Sequence, residues 1–326
     1  MGQRATGGEH RFQVGVRVNA KALQKLRVIG TSMGIDDEIK ELTLALAKSA
    51  TRPALPFEID ERVEEGFPGS KLGGSPLMPP GAEWPIDGKG RPLALLAQID
   101  CVDLALLAGF PRSGILQLFV SGYSIEWGLD GAGTYDAQDG FRVLYWPAGA
   151  GPLVPADAPA GTEKHLPFRP TGCFPLRFAD HASMQPMTAC DWRFDRLFVE
   201  TWDRLVPGEP LAARRRGPYD LPVFWHAFDY AEDLFVTDIG EVCPPPGLRD
   251  QVGGWPAFEQ VDPRAWPDAE RLRRYDTVLF QLGSSAGCRA SPCVEWGDGG
   301  VGVFLINGDD LRRLDFSRVM YYWDCG

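Results

Sequence analysis

The chain has 326 residues, 44% hydrophobic and 24% charged, and no apolar run approaches the roughly 20 residues that a membrane helix needs. Its formal net charge of −11 and pI of about 4.9 set it against nucleic acid and anionic membranes and favour a basic partner. Seven cysteines, Cys101, Cys173, Cys190, Cys243, Cys288, Cys293 and Cys325, are odd in number and scattered, without a CxxC, so reduced thiols are expected rather than a disulfide framework or structural zinc. The opening "MGQRATGGEHRF" lacks the apolar segment of a signal peptide, and the expected location is cytoplasmic.

Residues 1–50 read as a helical extension. "KALQKLRVIG" sets Leu23, Leu26 and Ile29 on one face, and "DDEIKELTLALAKSA" opens with acids and ends with a lysine, the polarity a helix favours. Thr51 to Pro56 breaks the pattern. "SKLGGSPLMPPGAEWP", Ser70 to Pro85, suits neither a long helix nor an unbroken strand, because proline removes donors and glycine frees the backbone. Buried strands are expected in "PLALLAQID", "GILQLFVSG" and "FRVLYW", with a short helix in "CVDLALLAGFP" capped by Asp103. Residues 150–240 form an insert in which "DWRFDRLFVETWD" reads as a helix with Trp192, Leu197 and Phe198 inward. Further on, strands are expected at Thr277–Leu282, Val301–Ile306 and Val319–Trp323, with a helical turn at "DDLRRLDF".

The second half repeats the first. Gly73-Gly74 and Pro76 match Gly253-Gly254 and Pro256, Gln98 matches Gln281, "ILQLFV" matches "VGVFLI", and "FRV" at Phe141 matches "FSRV" at Phe316. The expected fold is therefore α+β: an internally duplicated, largely antiparallel sheet-rich core with peripheral helices. It occupies residues 51–326, with repeats at about 68–146 and 248–324. The glycine pairs serve turns or close backbone approach, and a ligand-binding loop is the other reading.

No catalytic set stands out. "GSSAG", Gly283 to Gly287, matches a nucleophile elbow, but "CRASPC" does not read as the helix that should follow. "GGVGVF" lacks the third glycine of a dinucleotide loop and precedes a strand. Asp130, Asp136 and Asp139 lie in one acidic loop without the spacing of a calcium loop. No cofactor and no metal is expected. The binding candidates are these aspartates, Gln98 and Gln281, and two acid-flanked tryptophans, Glu126-Trp127 and Glu295-Trp296 with Asp298. An indole beside acids and glycine turns either lines a groove for a cationic or aromatic group or closes one end of a sheet core. Each buried glutamine either clamps its own glycine turn or presents its amide to a ligand.

The ordered motifs "KLGGSPLMPPGAEWP", "LALLAQID", "GILQLFVS", "QVGGWPAFEQVDPR", "VLFQL", "EWGDGGVGVFLI" and "DFSRVMYYWDCG" resemble the YwqG-like family, a bacterial domain of unknown function. The resemblance covers about residues 68–326 and implies a cytosolic α+β protein with a duplicated sheet and no established activity. The expectation is a non-catalytic cytoplasmic binding protein, in its concrete form an acidic immunity protein that neutralises a basic toxin. The alternative is an enzyme acting on a small molecule in a cleft between the repeats.

Overall fold

The structure is a computed structural model. It describes residues 10–11, 17–18, 35–64, 66–129, 135–162, 164–188, 190–205, 250–266, 268–285 and 291–326. The helix expected over residues 21–29 lies outside the described residues. The described residues fall into two compact units, one drawn from within Met1–Arg52, Met184–Pro245 and Trp255–Arg271, the other from Pro53–Ser183, Pro246–Gly254 and Leu272–Gly326.

The first unit is built on α1 (Ile35–Ser49) and α2 (Trp192–Leu205), which pack together. Leu42, Leu46 and Ala47 form the buried stripe of α1, and Phe194, Leu197, Phe198 and Trp202 that of α2, both at helical spacing. Trp192, expected inward, is only half-buried; it opens α2, and its N–H is spent on the Asp262 carboxylate at 2.9 Å. Beside α2 lies a buried charge network. Arg264 donates to Asp262 at 2.6 Å and Asp191 at 3.1 Å, and Arg193 donates to Asp191 at 2.6 Å. Guanidiniums of Arg52 and Arg193 lie 3.8 and 4.8 Å from the Trp255 ring centroid. The two arginines hold the Asp191 carboxyl well below the usual carboxylate range, even though burial alone would raise it.

The second unit is dominated by an 11-stranded sheet. Its main path uses β1 (Thr51–Ile59), β2 (Lys71–Leu72), β3 (Ala94–Asp100), β4 (Ile115–Val120), β5 (Phe141–Trp146), β6 (Phe174–Phe178), β7 (Gln251–Gly253), β8 (Thr277–Gly283), β9 (Val301–Ile306) and β10 (Val319–Asp324). The order is β10-β9-β8-β7-β1-β6-β2-β3-β4-β5, and the ladders of this path are antiparallel. One short helix, α3 (Gly308–Arg312), precedes β10.

Three local expectations are corrected. Thr51–Pro56 does not merely end a helix; it opens β1, a central strand. Its prolines are tolerated because they need only accept: Pro53 O takes the Gly254 N–H and Pro56 O the Ala179 N–H, both at 2.9 Å. The turn after β3 is a 3₁₀ helix, Cys101–Leu104, capped by Asp100, whose carboxylate accepts from Val102 N. Asp103 instead accepts the Ser70 hydroxyl at 2.6 Å. The thiols are not all reduced, since Cys293 is disulfide-bonded.

Two four-strand ladders flank β1 and β6. In each, a bulge falls at the same place before the glutamine, between Leu95 and Ala97 in β3 and between Val278 and Phe280 in β8. Asp100 faces Ile115 as Gly283 faces Val301, and Val120 faces Phe141 as Ile306 faces Val319. Phe141 thus holds the ladder position of Val319, two residues away from the pairing of "FRV" with "FSRV". The sheet curls into a nearly closed barrel. Phe141 on β5 packs against Tyr321 on β10 at 5.2 Å and Phe304 on β9 at 6.0 Å. A side chain spans the seam: Gln138 donates to Phe316 O and Ser317 O at 3.0 Å and accepts the Val143 N–H at 3.0 Å.

Candidate functional site

Gln98 is fully buried and fully used. Its Oε1 accepts from Leu77 N at 2.8 Å and from Gln117 Nε2 at 2.9 Å, and its Nε2 donates to Pro68 O at 3.1 Å and Gly69 O at 3.2 Å. Gln117 extends the chain, donating to Leu77 O and accepting from Trp146 Nε1 at 2.9 Å. The entry to the Gly/Pro stretch at Pro68-Gly69 and its midpoint at Leu77 are therefore clamped to β3, and Gln98 has no donor or acceptor left for a ligand. Gln281 is buried as well and stands opposite Gln251 and Val303. The glycine pairs are structural in the same sense. Gly73, Gly74, Gly253 and Gly254 all have φ between +59° and +74°. A Cβ on Gly73 would lie 2.4 Å from Gly172 O, and one on Gly253 2.7 Å from Pro53 O. Pro76 O accepts from Ala156 N at 2.9 Å, and Pro256 O from the Thr188 hydroxyl at 2.5 Å.

The two acid-flanked tryptophans, far apart in sequence, meet. Trp127 and Trp296 pack edge-to-face at 5.1 Å, and Trp323 from β10 joins Trp127 at 4.6 Å. Trp296 is completely buried because Gly302 leaves it room: a Cβ there would lie 2.4 Å from its Cζ2. The glycines of "GGVGVF" thus include an indole seat rather than a phosphate loop. Trp127 carries φ +41°, a conformation bulky residues rarely adopt, and its Nε1 donates to His165 O. The indole Nε1 of Trp296 and the hydroxyl of Tyr321, whose rings lie 6.4 Å apart, are buried without partners among the described residues. Burial pushes the Tyr321 hydroxyl well above its usual range.

The acids of these motifs stay outside. Glu126, Glu295 and Asp298 are exposed and take part in no ion pair among the described residues. Their backbones are pinned: Glu126 O accepts Trp323 Nε1 at 2.9 Å, and Glu295 N donates to Pro167 O at 2.8 Å. Ile125, beside Glu126, is 64% exposed. The acidic loop is less available. Asp130 lies outside the described residues, Asp136 is half-buried and accepts the Tyr275 hydroxyl at 3.1 Å, and Asp139 is exposed.

The serines of "GSSAG" hold the segment that carries Trp296. Ser284 Oγ donates to Gly300 O at 2.8 Å and accepts from Trp296 N at 2.9 Å, and Ser285 Oγ accepts from Val294 N at 3.0 Å. Burial pushes the Cys101 thiol up to about 12, which leaves it unreactive at neutral pH. Among the described residues, no group of three His, Cys, Asp or Glu is placed to hold a metal ion, and no helix is long and apolar enough to cross a membrane.

Residues 70–325 match the family model described as "Domain of unknown function (DUF1963)". The chain belongs to this family. The YwqG-like resemblance of its motifs is consistent with that membership. A comparison with curated proteins finds no match. Within the DUF1963 domain, sequence reasoning reached Trp127 and Trp296 through their acid flanks. It passed over Gln117, Gln138 and Trp323. For Trp323 a signal was present, the aromatic run "YYW" in a strand; for the two glutamines only their placement beside strands hinted at a role.

Proposed function

We propose that the DUF1963 domain is a non-catalytic binding protein for a basic protein partner, and that the rim of the tryptophan cluster is its contact surface. One observation carries this reading. Ile125, Glu126, Glu295 and Asp298, which lie within two residues of the packed Trp127 and Trp296, are exposed, and the three acids have no ion-pair partner among the described residues. An exposed apolar side chain on the same tryptophan-bearing segments as uncompensated acids favours a partner offering an apolar pocket edged with lysine or arginine. The overall charge of −11 adds long-range steering. In concrete form, the domain is a cytoplasmic immunity protein that neutralises a basic toxin, with nucleic acid and membranes outside its range of partners. We also take the two ladders to descend from one duplicated unit, on the strength of their matching bulges and registers. A photo-crosslinking residue at position 125, introduced in the native host, tests the surface. It should capture one basic protein that the same residue at exposed Val102 does not. Equal capture from both positions, or capture of acidic proteins alone, would overturn the reading.

A further inference from the structure

The seam of the barrel holds a second, independent feature. A cavity of about 380 Å³ opens where β5 meets the segment before β10, lined by Arg142, Val143, Leu144, Tyr145, Leu314 and Phe316 among others. Its volume falls in the range of small-molecule sites, about 300–1,000 Å³. The lining mixes polar and apolar groups in nearly equal measure, and Leu314 is 43% exposed with φ +58°.

Among the described residues, Arg142 is the one charged side chain in this lining. Its Nη2 makes a single long contact, 3.5 Å to Ile86 O. Its Nε is buried and has no acceptor, and among the described residues it joins no ion pair. A guanidinium donor taken out of water without an acceptor is costly, and the natural complement of its planar fork is a carboxylate bound through two parallel hydrogen bonds.

The backbone supports the same reading. Val143 N points away from β4, because it bonds Gln138 Oε1. Alternation along an antiparallel strand then turns the N–H and C=O of Tyr145 the same way, toward the open edge of the last strand. The cavity therefore offers one cation, several apolar side chains and the outward N–H and C=O of Tyr145 at a strand edge.

We propose that this seam cavity binds a monocarboxylate with an apolar body, its carboxylate on Arg142 and its body against Leu314 and Phe316. Inorganic phosphate could take the same guanidinium fork but would leave the apolar side chains of the cavity uncovered.

The test uses the full chain and four probes: phenylacetate, octanoate, the neutral phenylacetamide and inorganic phosphate. Binding is followed by NMR shift titration. Phenylacetate or octanoate should saturate, with shifts centred on residues 138–145 and 314–317. Phenylacetamide and phosphate should bind at least tenfold more weakly. Arg142→Gln should lose at least tenfold, and Arg142→Lys should fall between it and wild type. Leu314→Glu places a like charge at the cavity without touching Arg142, and it should abolish binding in a protein whose circular dichroism is unchanged. The proposal is overturned if neither carboxylate saturates, if Arg142→Gln binds as wild type does, or if phenylacetamide or phosphate matches the carboxylates.

Discussion

Gly302→Ala is the sharpest probe of how the tryptophan cluster is built. The added Cβ would stand 2.4 Å from Cζ2, 2.7 Å from Cη2 and 2.8 Å from Cε2 of Trp296. Carbon atoms rest at about 3.5–4.0 Å, so ring or strand must give by about 1 Å. The ring has little freedom. It is fully buried, lies 5.1 Å from Trp127, and its backbone N–H is tied to Ser284 Oγ at 2.9 Å. Overpacking of this kind costs about 1–3 kcal/mol. Removing a glycine from the unfolded chain returns about 0.4–1 kcal/mol. The net expectation is a loss of about 1–2 kcal/mol, read as a lower urea midpoint followed by far-ultraviolet circular dichroism. In a Trp296→Leu background the space is free, and the same glycine change should cost nothing, a coupling of at least about 1 kcal/mol. An unchanged or raised midpoint for Gly302→Ala, or an equal loss in both backgrounds, would refute the seat.

Two other outcomes follow from buried charge. Asp191→Asn should cost about 3–5 kcal/mol, because it leaves Arg193 and Arg264 without their shared carboxylate. The Asp191 carboxyl is lowered in the folded state, so its contribution is complete above the unfolded value near 4 and is lost as pH falls below it; the variant should show a shallower acid limb in stability measured from pH 5 to pH 2. Asp250 has the opposite sign. Burial pushes its carboxyl up to about 7, against the Gly283 N–H bond at 2.8 Å that lowers it. A raised acid favours the protonated fold, so stability should fall as pH rises from about 4 to 7, and Asp250→Asn should flatten that decline. A decline as steep in the variant as in wild type would assign it to other groups.

The strands were legible where hydrophobicity and β-branching agreed with the fold. "FRVLYW" is β5 and "VGVFLI" is β9, with no residue to add or remove at either end. The central strands were not legible. In β1, "TRPALPFEI" carries two prolines, and its role depends on carbonyls that accept from Ala179 and Gly254, partners that no local pattern displays. Strand β6 sits inside the insert, where proline content masked it. The site shows the same division. Acid flanks drew attention to Trp127 and Trp296, yet their contact is set by barrel curvature. Gln138 bonds Phe316 across 178 positions, a relation no window of sequence contains. The acidic loop shows the same limit: composition marked Asp136 as a charge, but its hydrogen bond from the Tyr275 hydroxyl, 139 positions away, is displayed by no local pattern.

The central claim concerns the acidic rim and is tested most directly by an association rate. The basic partner captured through position 125 would be purified and mixed with wild type and with Glu126→Lys/Glu295→Lys/Asp298→Lys at about 0.1 M and about 1 M salt, where the Debye length is about 10 and about 3 Å. The account predicts at least tenfold slower association for the variant at low salt, and a wild-type rate that drops steeply toward the variant's at high salt. A wild-type rate indifferent to salt, or a triple variant that associates as fast as wild type, would contradict it.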